Sequence, residues 1–444
     1  MSTRSHAPVD PYRDGHVILG LNALVYGYVP SAWQSPLLGD NDFQSRSYWQ
    51  KIGRLAEKAR LDAFFLADAL ALGNPSYDAN PIRLDPTSIL AAVAVATEHI
   101  GLVATASTTF NDPVDLARRI LTLDHVSGGR AGWNLVTTRD SSSAANFGLD
   151  DVTGRSDRYA RGAEFAELVT AIWASAGTGR QVDHDGDHFT FHGTVDAPAS
   201  AQTSPVIVQA GGSAAGRGIA SRFADAVFSA EITPDSAAEH YATVKDGAQR
   251  VGRQSEDVKI LPGLLLTLGS TEEEARRRID YLYDTSPPAY AAGWLSHAIG
   301  VDVSALDLDE HFPEDILSSP VPDNFAGSIG FRQSILAQIR RTRPTVREYL
   351  RQTRYSGSGH GGFVGTPEQL VDRIEDWYRR GLADGFNLQP DIMIDQLEII
   401  ADEVVPLLTR RGLYRREYEH TTLRGNLGTP RSVPTFAEQR RSLA

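Results

Sequence analysis

The sharpest local feature of the sequence is a glycine-rich turn, QAGGSAAGRG, at residues 209–218. A predicted strand ends there, the glycines permit a tight turn, and a helix of small residues begins. The first N–H groups of such a helix have no partner within it, so they can hold an anion, and the Ser213 hydroxyl adds a donor. The alternative to an anion site is an ordinary glycine-rich loop between a strand and a helix. Such loops are common in proteins.

Two further patterns resemble ligand-binding motifs but lack the surroundings that those motifs need. Residues 357–362 match GxGxxG literally, yet no predicted strand precedes them, so a mobile loop is the better prediction than a dinucleotide site. His184, His188 and His192 are spaced by four, which on a helix would form one metal-binding face. The glycines and phenylalanines between them favour a hairpin, in which the spacing does not converge. We expect no metal site.

Polar and mostly neutral side chains stand at or just after the ends of the predicted strands. They are Asn22, Asp68, Thr105, Ser107, Thr108, Asn134, Thr137, Thr138, Ser213, Ser229, Glu231 and Gln389. No pair of carboxylates and no Ser-His-Asp order stands out among them, so the catalytic residue stays unknown. Such a set is suited to binding a large polar cofactor by hydrogen bonds, and it is poorly suited to metal-dependent hydrolysis.

Eight short apolar, β-branched runs must position these side chains. They lie at 17–24, 62–68, 100–108, 131–138, 205–212, 225–230, 258–269 and 384–390. Most of them alternate with helical patterns, which indicates parallel βα units. The count predicts an α/β protein with a (β/α)8 TIM barrel and insertions, with its chemistry at the carboxyl ends of the strands. A doubly wound open sheet is the rival, since periodicity alone cannot distinguish an open sheet from a closed one.

The barrel is predicted to be a single domain over residues 15–415. A hairpin insertion is predicted at 175–204, and a longer, lid-like insertion at 283–362, where Pro, Ser and Gly replace regular periodicity. The arginine-rich C-terminal tail, 416–444, is predicted to wrap the surface or to make an oligomer contact.

Composition excludes several classes of protein. The chain has 444 residues, of which 41% are hydrophobic and 22% charged, close to the globular average. The formal net charge of −13 disfavours nucleic acid as a partner, and the lack of cysteine excludes disulfides, thiolate nucleophiles and Cys-ligated metals. The N-terminus is polar and no run of about 18 apolar residues occurs, so we expect a cytoplasmic protein without a membrane partner.

The segment IGLVATASTTFNDPVDLARRILTLDHVSGGRAGWNLVTT, at 100–138, resembles the signature stretch of the bacterial-luciferase-like, two-component flavin monooxygenases. The subgroup that it resembles holds nitrilotriacetate, EDTA and dibenzothiophene-sulfone monooxygenases and the pristinamycin IIA synthase large subunit. The similarity recurs in order in FFLADALAL (64–72), NFG…RYARGAEF (146–165), PVIVQAGGSAAGR (205–217) and VVPLLTRRGLYRREYEHTTLRGNLG (404–428). It runs from about residue 15 to 430 and is weakest over 283–355.

The resemblance implies a TIM barrel with FMN at its carboxyl-terminal rim. Asp68 stands where the family has an acid beside the flavin, Thr105 where it has a threonine that contacts the flavin, and Asn134 is a further implied flavin contact. Tyr159 matches the tyrosine of the family's H-x-x-R-Y motif, which contacts the phosphate, and Ser213 matches the serine of the phosphate loop.

Two positions depart from the family pattern. The motif's histidine is Arg155 here, whose guanidinium can hold a phosphate through two parallel hydrogen bonds but cannot carry a proton. The family often has a histidine three residues before Trp33, where this chain has Pro30. We expect that histidine to face the substrate, so its replacement argues against transferring a substrate from known members.

The resemblance also implies the chemistry. Reduced FMN (FMNH2), supplied by a separate NAD(P)H:FMN reductase, reacts with O2 to give a C4a-hydroperoxide that oxygenates a small organic substrate. A homo-oligomer, dimer or tetramer, is expected. An F420-dependent reductase of the same superfamily and a flavin-binding protein without turnover are the alternatives, and the motifs GGRAGWN and TLRGNLG favour the monooxygenase.

Overall fold

The computed structural model describes residues 15–29, 32–38, 43–72, 84–138, 141–152, 154–285, 289–322, 325, 327, 329–353 and 360–429. The strands in these residues are β1 (Ile18–Ala23), β2 (Ala63–Leu66), β3 (Gly101–Ser107), β4 (Ala131–Val136), β5 (Gln181–Asp185), β6 (Thr190–Thr194), β7 (Val206–Ala210), β8 (Ala226–Ser229), β9 (Lys259–Leu268), β10 (Gly361–Gly365) and β11 (Gly385–Pro390). Each of the eight apolar runs in the sequence contains one of these strands.

Eight parallel strands close into a barrel in the order β1, β2, β3, β4, β7, β8, β9, β11. Closure is made by β11, which pairs with β9 on one side and with β1 on the other, where Gly385 stands opposite Ile18. The predicted (β/α)8 barrel is thereby confirmed, and the doubly wound alternative is wrong. A ninth strand, β10, pairs with the second half of β9, beyond the point where β8 ends.

The helices surround the barrel and fill the long insertion. They are α1 (Arg46–Lys58), α2 (Pro86–Ala94), α3 (Pro113–Ser127), α4 (Ser141–Asn146), α5 (Arg155–Ser175), α6 (Ala214–Phe223), α7 (Pro234–Arg250), α8 (Glu272–Asp284), α9 (Ala289–Ile299), α10 (Glu314–Ser318), α11 (Ile329–Thr342), α12 (Val346–Gln352), α13 (Pro367–Arg379), α14 (Met393–Ile399), α15 (Val405–Arg410) and α16 (Leu423–Leu427). Short 3₁₀ turns lie at Ala32–Gln34, Pro36–Leu38, Ser255–Asp257 and Val303–Ala305, and a π turn at Ile400–Val404 joins α14 to α15. In the described part of the chain, no helix has the length and apolarity that crossing a bilayer requires.

Local sequence signals set the ends of two of these helices. Thr366 caps α13, and its side chain and that of Gln369 exchange hydrogen bonds with each other's backbone N–H groups. At the end of α3, Gly128 adopts a left-handed conformation with φ of 71°, which glycine tolerates without strain.

The interior of the barrel is apolar at its amino-terminal end, where the strands begin, and α16 closes the barrel there. Ile18, Phe65 and Val103 point inward and pack with Leu423 and Leu427 from α16. The sequence predicted a tail over 416–444 that wraps the surface or makes an oligomer contact. Of its described residues, 416–422 are mostly exposed and 423–427 form the floor of the barrel, and residues 430–444 lie outside the described part.

The arginines of this floor are buried because each meets a carboxylate that precedes a strand. Arg424 lies 2.6 Å from Asp225, just before β8, and Arg415 lies 2.9 Å from Asp62, just before β2. A paired, hydrogen-bonded guanidinium can be buried where an unpaired one cannot. An arginine-rich composition alone did not reveal these partners.

Two segments extend beyond the barrel. Between α5 and β7, the antiparallel strands β5 and β6 form a hairpin, with Gln181 opposite Thr194. The insertion at 283–362 holds the four helices α9 to α12 around an apolar cluster of its own, which includes Leu295, Phe312 and Leu336. The loop predicted for the GxGxxG match is wrong at its end, because β10 begins at Gly361; residues 354–359 lie outside the described part.

Candidate functional site

The first part of the candidate site is a pair of polar side chains on neighbouring strands. Thr105 of β3 stands opposite Asn134 of β4, and the Asn134 Nδ2 donates to the Thr105 Oγ1 at 2.9 Å. Both side chains are buried, yet the Asn134 Oδ1 has no hydrogen-bond partner in the described chain. The pair therefore presents an oriented acceptor whose donor must come from elsewhere.

Other amides show the same deficit. Gln389 of β11 is 0% exposed, and neither its Oε1 nor its Nε2 has a partner. The Oδ1 of Asn22, on β1, is buried and unpartnered as well. Leaving one such group unsatisfied costs about 1–3 kcal/mol, so several of them in one barrel indicate a ligand or bound water. A polar-edged ring such as a flavin has donors and acceptors that fit this set.

The second part of the site is the glycine-rich turn, which does precede a helix. Ser213 is the N-cap of α6, and its Oγ accepts a hydrogen bond from the backbone N–H of Gly216 at 3.1 Å. The Tyr159 hydroxyl, from α5, lies 3.1 Å from the same Oγ. The structure therefore brings together the two residues that the resemblance marks as phosphate contacts, although they are 54 positions apart.

The first glycine of the turn packs closely on a buried glutamine. A Cβ added to Gly211 would stand 2.6 Å from the Nε2 of Gln209, whose side chain is buried beneath the turn. The Gln209 Oε1 has no hydrogen-bond partner in the described chain. A side chain at position 211 would therefore have to displace the amide of Gln209.

The structure describes the other residues of the predicted site less completely. Asp68 is half-buried two residues beyond the end of β2, the strand that pairs with β3 and hence with Thr105. Arg155 is the first residue of α5, the helix that carries Tyr159, and its side chain lies outside what the structure describes. Pro30 also lies outside the described residues.

A buried acid and a buried imidazole lie together near the rim. The sequence offered the acid, Glu231, among the polar side chains after the strands, but not the imidazole, His240. Glu231, two residues beyond β8, lies 3.4 Å from the Nδ1 of His240 on α7, without hydrogen-bond alignment. Burial raises the pKa of Glu231 to about 7 and lowers the pKa of His240 to about 4. The two positions share no local motif, so only long-range packing reveals the pair.

His360 is another residue that the sequence did not single out. Its buried ring stacks on Phe228 of β8 at a centroid distance of 4.8 Å, and Phe331 of α11 meets it edge-on at 5.1 Å. Burial lowers the pKa of His360 to about 4, so the ring is neutral at physiological pH. His360 lies within the GxGxxG match, and that match was interpreted only as a loop.

The three histidines of the hairpin do not converge, as their surroundings predicted. They pair with different carboxylates: His184 with Glu164 at 3.2 Å, His188 with Asp157 at 3.8 Å, and His192 with Asp183 and Asp185 at 3.2 Å each. Among the described residues, no group of three or more His, Cys, Asp or Glu side chains could hold a metal ion. Glu164 also accepts the backbone N–H groups of His188 and Phe189, so it ties the hairpin to α5.

A wide cavity of about 910 Å³ lies at the opposite end of the barrel, where the strands begin. Asp62, Lys259 and Asp384, which line it, precede β2, start β9 and precede β11 respectively. In this fold the amino-terminal end serves stability, and the carboxyl-terminal end carries the chemistry. The buried ion pair between Lys245 and Asp384, at 3.0 Å, agrees with a stabilising role, so size alone does not identify the site.

Comparison with known proteins now assigns the class. The family model of the luciferase-like monooxygenases matches residues 32–384, and the chain belongs to this family. It is 37% identical to nitrilotriacetate monooxygenase component A of Aminobacter aminovorans, over 95% of this chain and 98% of that protein. It is 34% identical to N-acetyl-S-(2-succino)cysteine monooxygenase of Bacillus subtilis (strain 168), with the same coverage of both chains.

A solved structure agrees with these sequence matches. EDTA monooxygenase from Chelativorans sp. BNC1 superposes with a TM-score of 0.78 at 30% identity, covering 94% of this chain and 100% of that one. The resemblance that the sequence motifs indicated is confirmed, including the nitrilotriacetate and EDTA members of the subgroup. The protein is therefore an oxidoreductase, a flavin-dependent monooxygenase.

Proposed function

We propose that the protein is the oxygenase component of a two-component system. It takes reduced FMN from a separate NAD(P)H:FMN reductase and uses O2 to oxygenate a small organic substrate. The observation that carries the proposal is the joint placement of Ser213 and Tyr159 at the start of α6, in a chain of this family. The nitrilotriacetate relative is named as component A, which supports a second component.

The phosphate of FMN is proposed to bind at the start of α6. The helix offers unpaired N–H groups and the positive end of its dipole, and Ser213 and Tyr159 offer hydroxyl donors. Arg155, at the start of α5, is proposed as the third contact, because a guanidinium binds phosphate oxygens in pairs.

The flavin ring is proposed to lie against Asp68, Thr105 and Asn134. The Asn134 Oδ1 would accept an N–H from the polar edge of the ring, while its Nδ2 stays fixed on Thr105. Asp68 would orient the ring from the neighbouring strand. Reduced FMN supplies the oxygen-activating chemistry when bound, and the protein contributes binding, orientation and the exclusion of water.

The experiment that tests this function is a turnover assay with each component omitted in turn. We expect turnover with reduced FMN, O2 and a candidate substrate, and the same turnover when photoreduced FMN replaces the reductase and NAD(P)H. The panel holds organosulfur compounds, amino-polycarboxylates, and amides and ketones of secondary metabolism. Turnover without O2 would contradict the proposal and favour the F420-dependent reductase, whereas FMN binding without any turnover would favour a flavin-binding protein.

The assembly state stays a prediction. A homo-oligomer, dimer or tetramer, is expected, and light scattering during size-exclusion chromatography checks it.

A further inference from the structure

The wall of the barrel opposite the proposed flavin contacts carries a second set of polar side chains. In the closed barrel, β11 stands four strands from β4 in either direction, so Gln389 and Asn134 belong to opposite walls. Leu21 of β1 pairs with Leu388 of β11, which places Asn22 beside Gln389 at the carboxyl ends of these strands. A flavin ring held against β3 and β4 therefore leaves Asn22 and Gln389 on the far side of the barrel mouth.

The side chains of Asn22 and Gln389 both point into the barrel. Asn22 follows the inward-facing Ile18 by four positions along β1, and side chains alternate between the two faces of a strand. Gln389 follows Asn387 by two positions, and Asn387 lines a small apolar cavity inside the barrel together with Ile18. Asn22 and Gln389 are both fully buried, so their partners must come from the protein or from a ligand.

Tyr28 completes this set of side chains. Its backbone N–H donates to the carbonyl of Pro390 at 2.9 Å, which holds the loop after β1 across the end of β11. The Tyr28 hydroxyl accepts a hydrogen bond from the Asn22 Nδ2. Burial raises the pKa of Tyr28, so the hydroxyl keeps its own proton and can donate it to a ligand.

The three side chains offer both donors and acceptors. The Asn22 Oδ1 and the Gln389 Oε1 are acceptors, the Gln389 Nε2 is a donor, and none of these atoms has a hydrogen-bond partner in the described chain. The Tyr28 O–H is a second donor. A ligand that satisfies both kinds of atom must present a carbonyl oxygen and an N–H side by side. That is the pattern of a carboxamide.

The charges near the end of β11 do not favour an anionic ligand. Asp391, two residues beyond Gln389, lies 2.8 Å from the guanidinium of Arg278, which also lies 2.6 Å from Asp395. One cation is thus shared by two carboxylates and does not offer its charge to a substrate. A carboxylate ligand would face the acceptor oxygens of Asn22 and Gln389 without that cation to offset its charge.

We propose that Asn22, Tyr28 and Gln389 bind the substrate through a neutral carboxamide, either a primary amide or a lactam. The carbonyl oxygen of the substrate accepts from the Gln389 Nε2 and the Tyr28 hydroxyl, and its N–H donates to the Gln389 Oε1 or the Asn22 Oδ1. The proposal rests on the function proposed above, because it places the flavin on the opposite wall. It selects the amides from the substrate panel and disfavours the amino-polycarboxylates.

The first test measures the binding of 2-pyrrolidinone, benzamide and benzoate to the full-length protein by saturation-transfer NMR, with and without oxidised FMN. Both amides should bind at least about tenfold more tightly than benzoate, the anionic match of benzamide. Gln389→Leu should weaken both amides by about tenfold and Tyr28→Phe by about fivefold. Neither variant should change the Kd for FMN by more than about twofold.

Three outcomes of this test overturn the proposal. Benzamide may bind no more tightly than benzoate, or fail to bind. The amides may bind both variants like the parent, which is the result for side chains that hold only bound water. The variants may lose FMN affinity as far as they lose amide affinity, which would assign the set to the flavin.

The second test distinguishes ligand binding from a structural role. In the ligand-free protein, Gln389→Leu removes an amide without partners, so it should not lower the Tm. Gln396→Leu is the matched control, because the Gln396 side chain makes hydrogen bonds of 2.8 and 3.2 Å to the backbone of Leu268. This control should lower the Tm and leave benzamide binding unchanged. If Gln389→Leu lowers the Tm as far as Gln396→Leu does, Gln389 has a structural role and the proposal is wrong.

The tests also separate this inference from the proposed function. If the parent protein neither binds FMN nor turns over any substrate, the proposed function is wrong, and amide binding without FMN still decides the role of the three side chains. If the parent is an active monooxygenase but the variants bind amides like the parent, only the amide site is wrong.

Discussion

The Ser213 Oγ has three roles, and replacing Ser213 by alanine removes all of them. The effects on folding stability and on FMN affinity can be estimated separately. The Oγ caps α6 through the Gly216 N–H at 3.1 Å, and loss of such a cap costs about 1 kcal/mol of folding stability. It also lies 3.1 Å from the Tyr159 hydroxyl, so the orientation of that donor loosens. If it donates to the FMN phosphate, its loss weakens FMN binding by about 1–2 kcal/mol, a factor of roughly 5–30.

The assay is a fluorescence titration of FMN and riboflavin at constant ionic strength, together with thermal unfolding. Thr271→Ala is the matched control, because Thr271 caps α8 through the Glu274 N–H at a similar 3.1 Å, and no flavin contact is proposed there. Both variants should lose similar stability, and only Ser213→Ala should lose FMN affinity. If Ser213→Ala binds FMN like the parent, or loses riboflavin to the same extent, the assignment of the phosphate site is wrong.

Three further predictions concern other parts of the chain. Asp68→Ala should lower kcat more than it raises the Kd for FMN, because small misplacements of a reacting ring lower rate steeply; normal turnover with a lowered Tm would instead show a purely structural role. Arg424→Ala should destabilise the fold by about 3–5 kcal/mol in urea unfolding, since Asp225 is left buried and unpaired, and a loss below about 1 kcal/mol would contradict this account. The raised pKa of Glu231 favours the native state only while the carboxyl is protonated, so its contribution is lost as pH rises from 4.5 to about 7. Glu231→Gln should therefore gain stability relative to the parent across that window, and parallel pH profiles would refute the prediction.

The barrel was predictable because its strands are continuous apolar runs covered on both faces. Residues 100–108, for example, contain β3, all of whose residues are buried. β10 escaped because GGFVG is short, begins with two glycines and follows a Gly-Ser run. Its pairing depends on the long β9 extending beyond β8, which is a property of the assembled sheet.

Candidate site residues could be predicted where local chemistry and family resemblance coincide, and their contacts with FMN stay predictions. Ser213 had a physical argument of its own, and the structure adds Tyr159 at hydrogen-bond distance. His240 and His360 were missed because their environments are made by elements far away in sequence, and the GxGxxG match that contains His360 predicted only a loop. The buried Arg424 was misjudged for the same reason, since its partner Asp225 lies 199 residues earlier.

The most direct test of the central claim follows the oxygen atom. The protein is supplied with reduced FMN, ¹⁸O-labelled dioxygen and a substrate that turns over, and the product is examined by mass spectrometry. A flavin-dependent monooxygenase should place one ¹⁸O atom from dioxygen in the organic product, and the parallel reaction in ¹⁸O-labelled water should leave that atom unlabelled. Label that arrives from water, or product formed without dioxygen, would contradict the account.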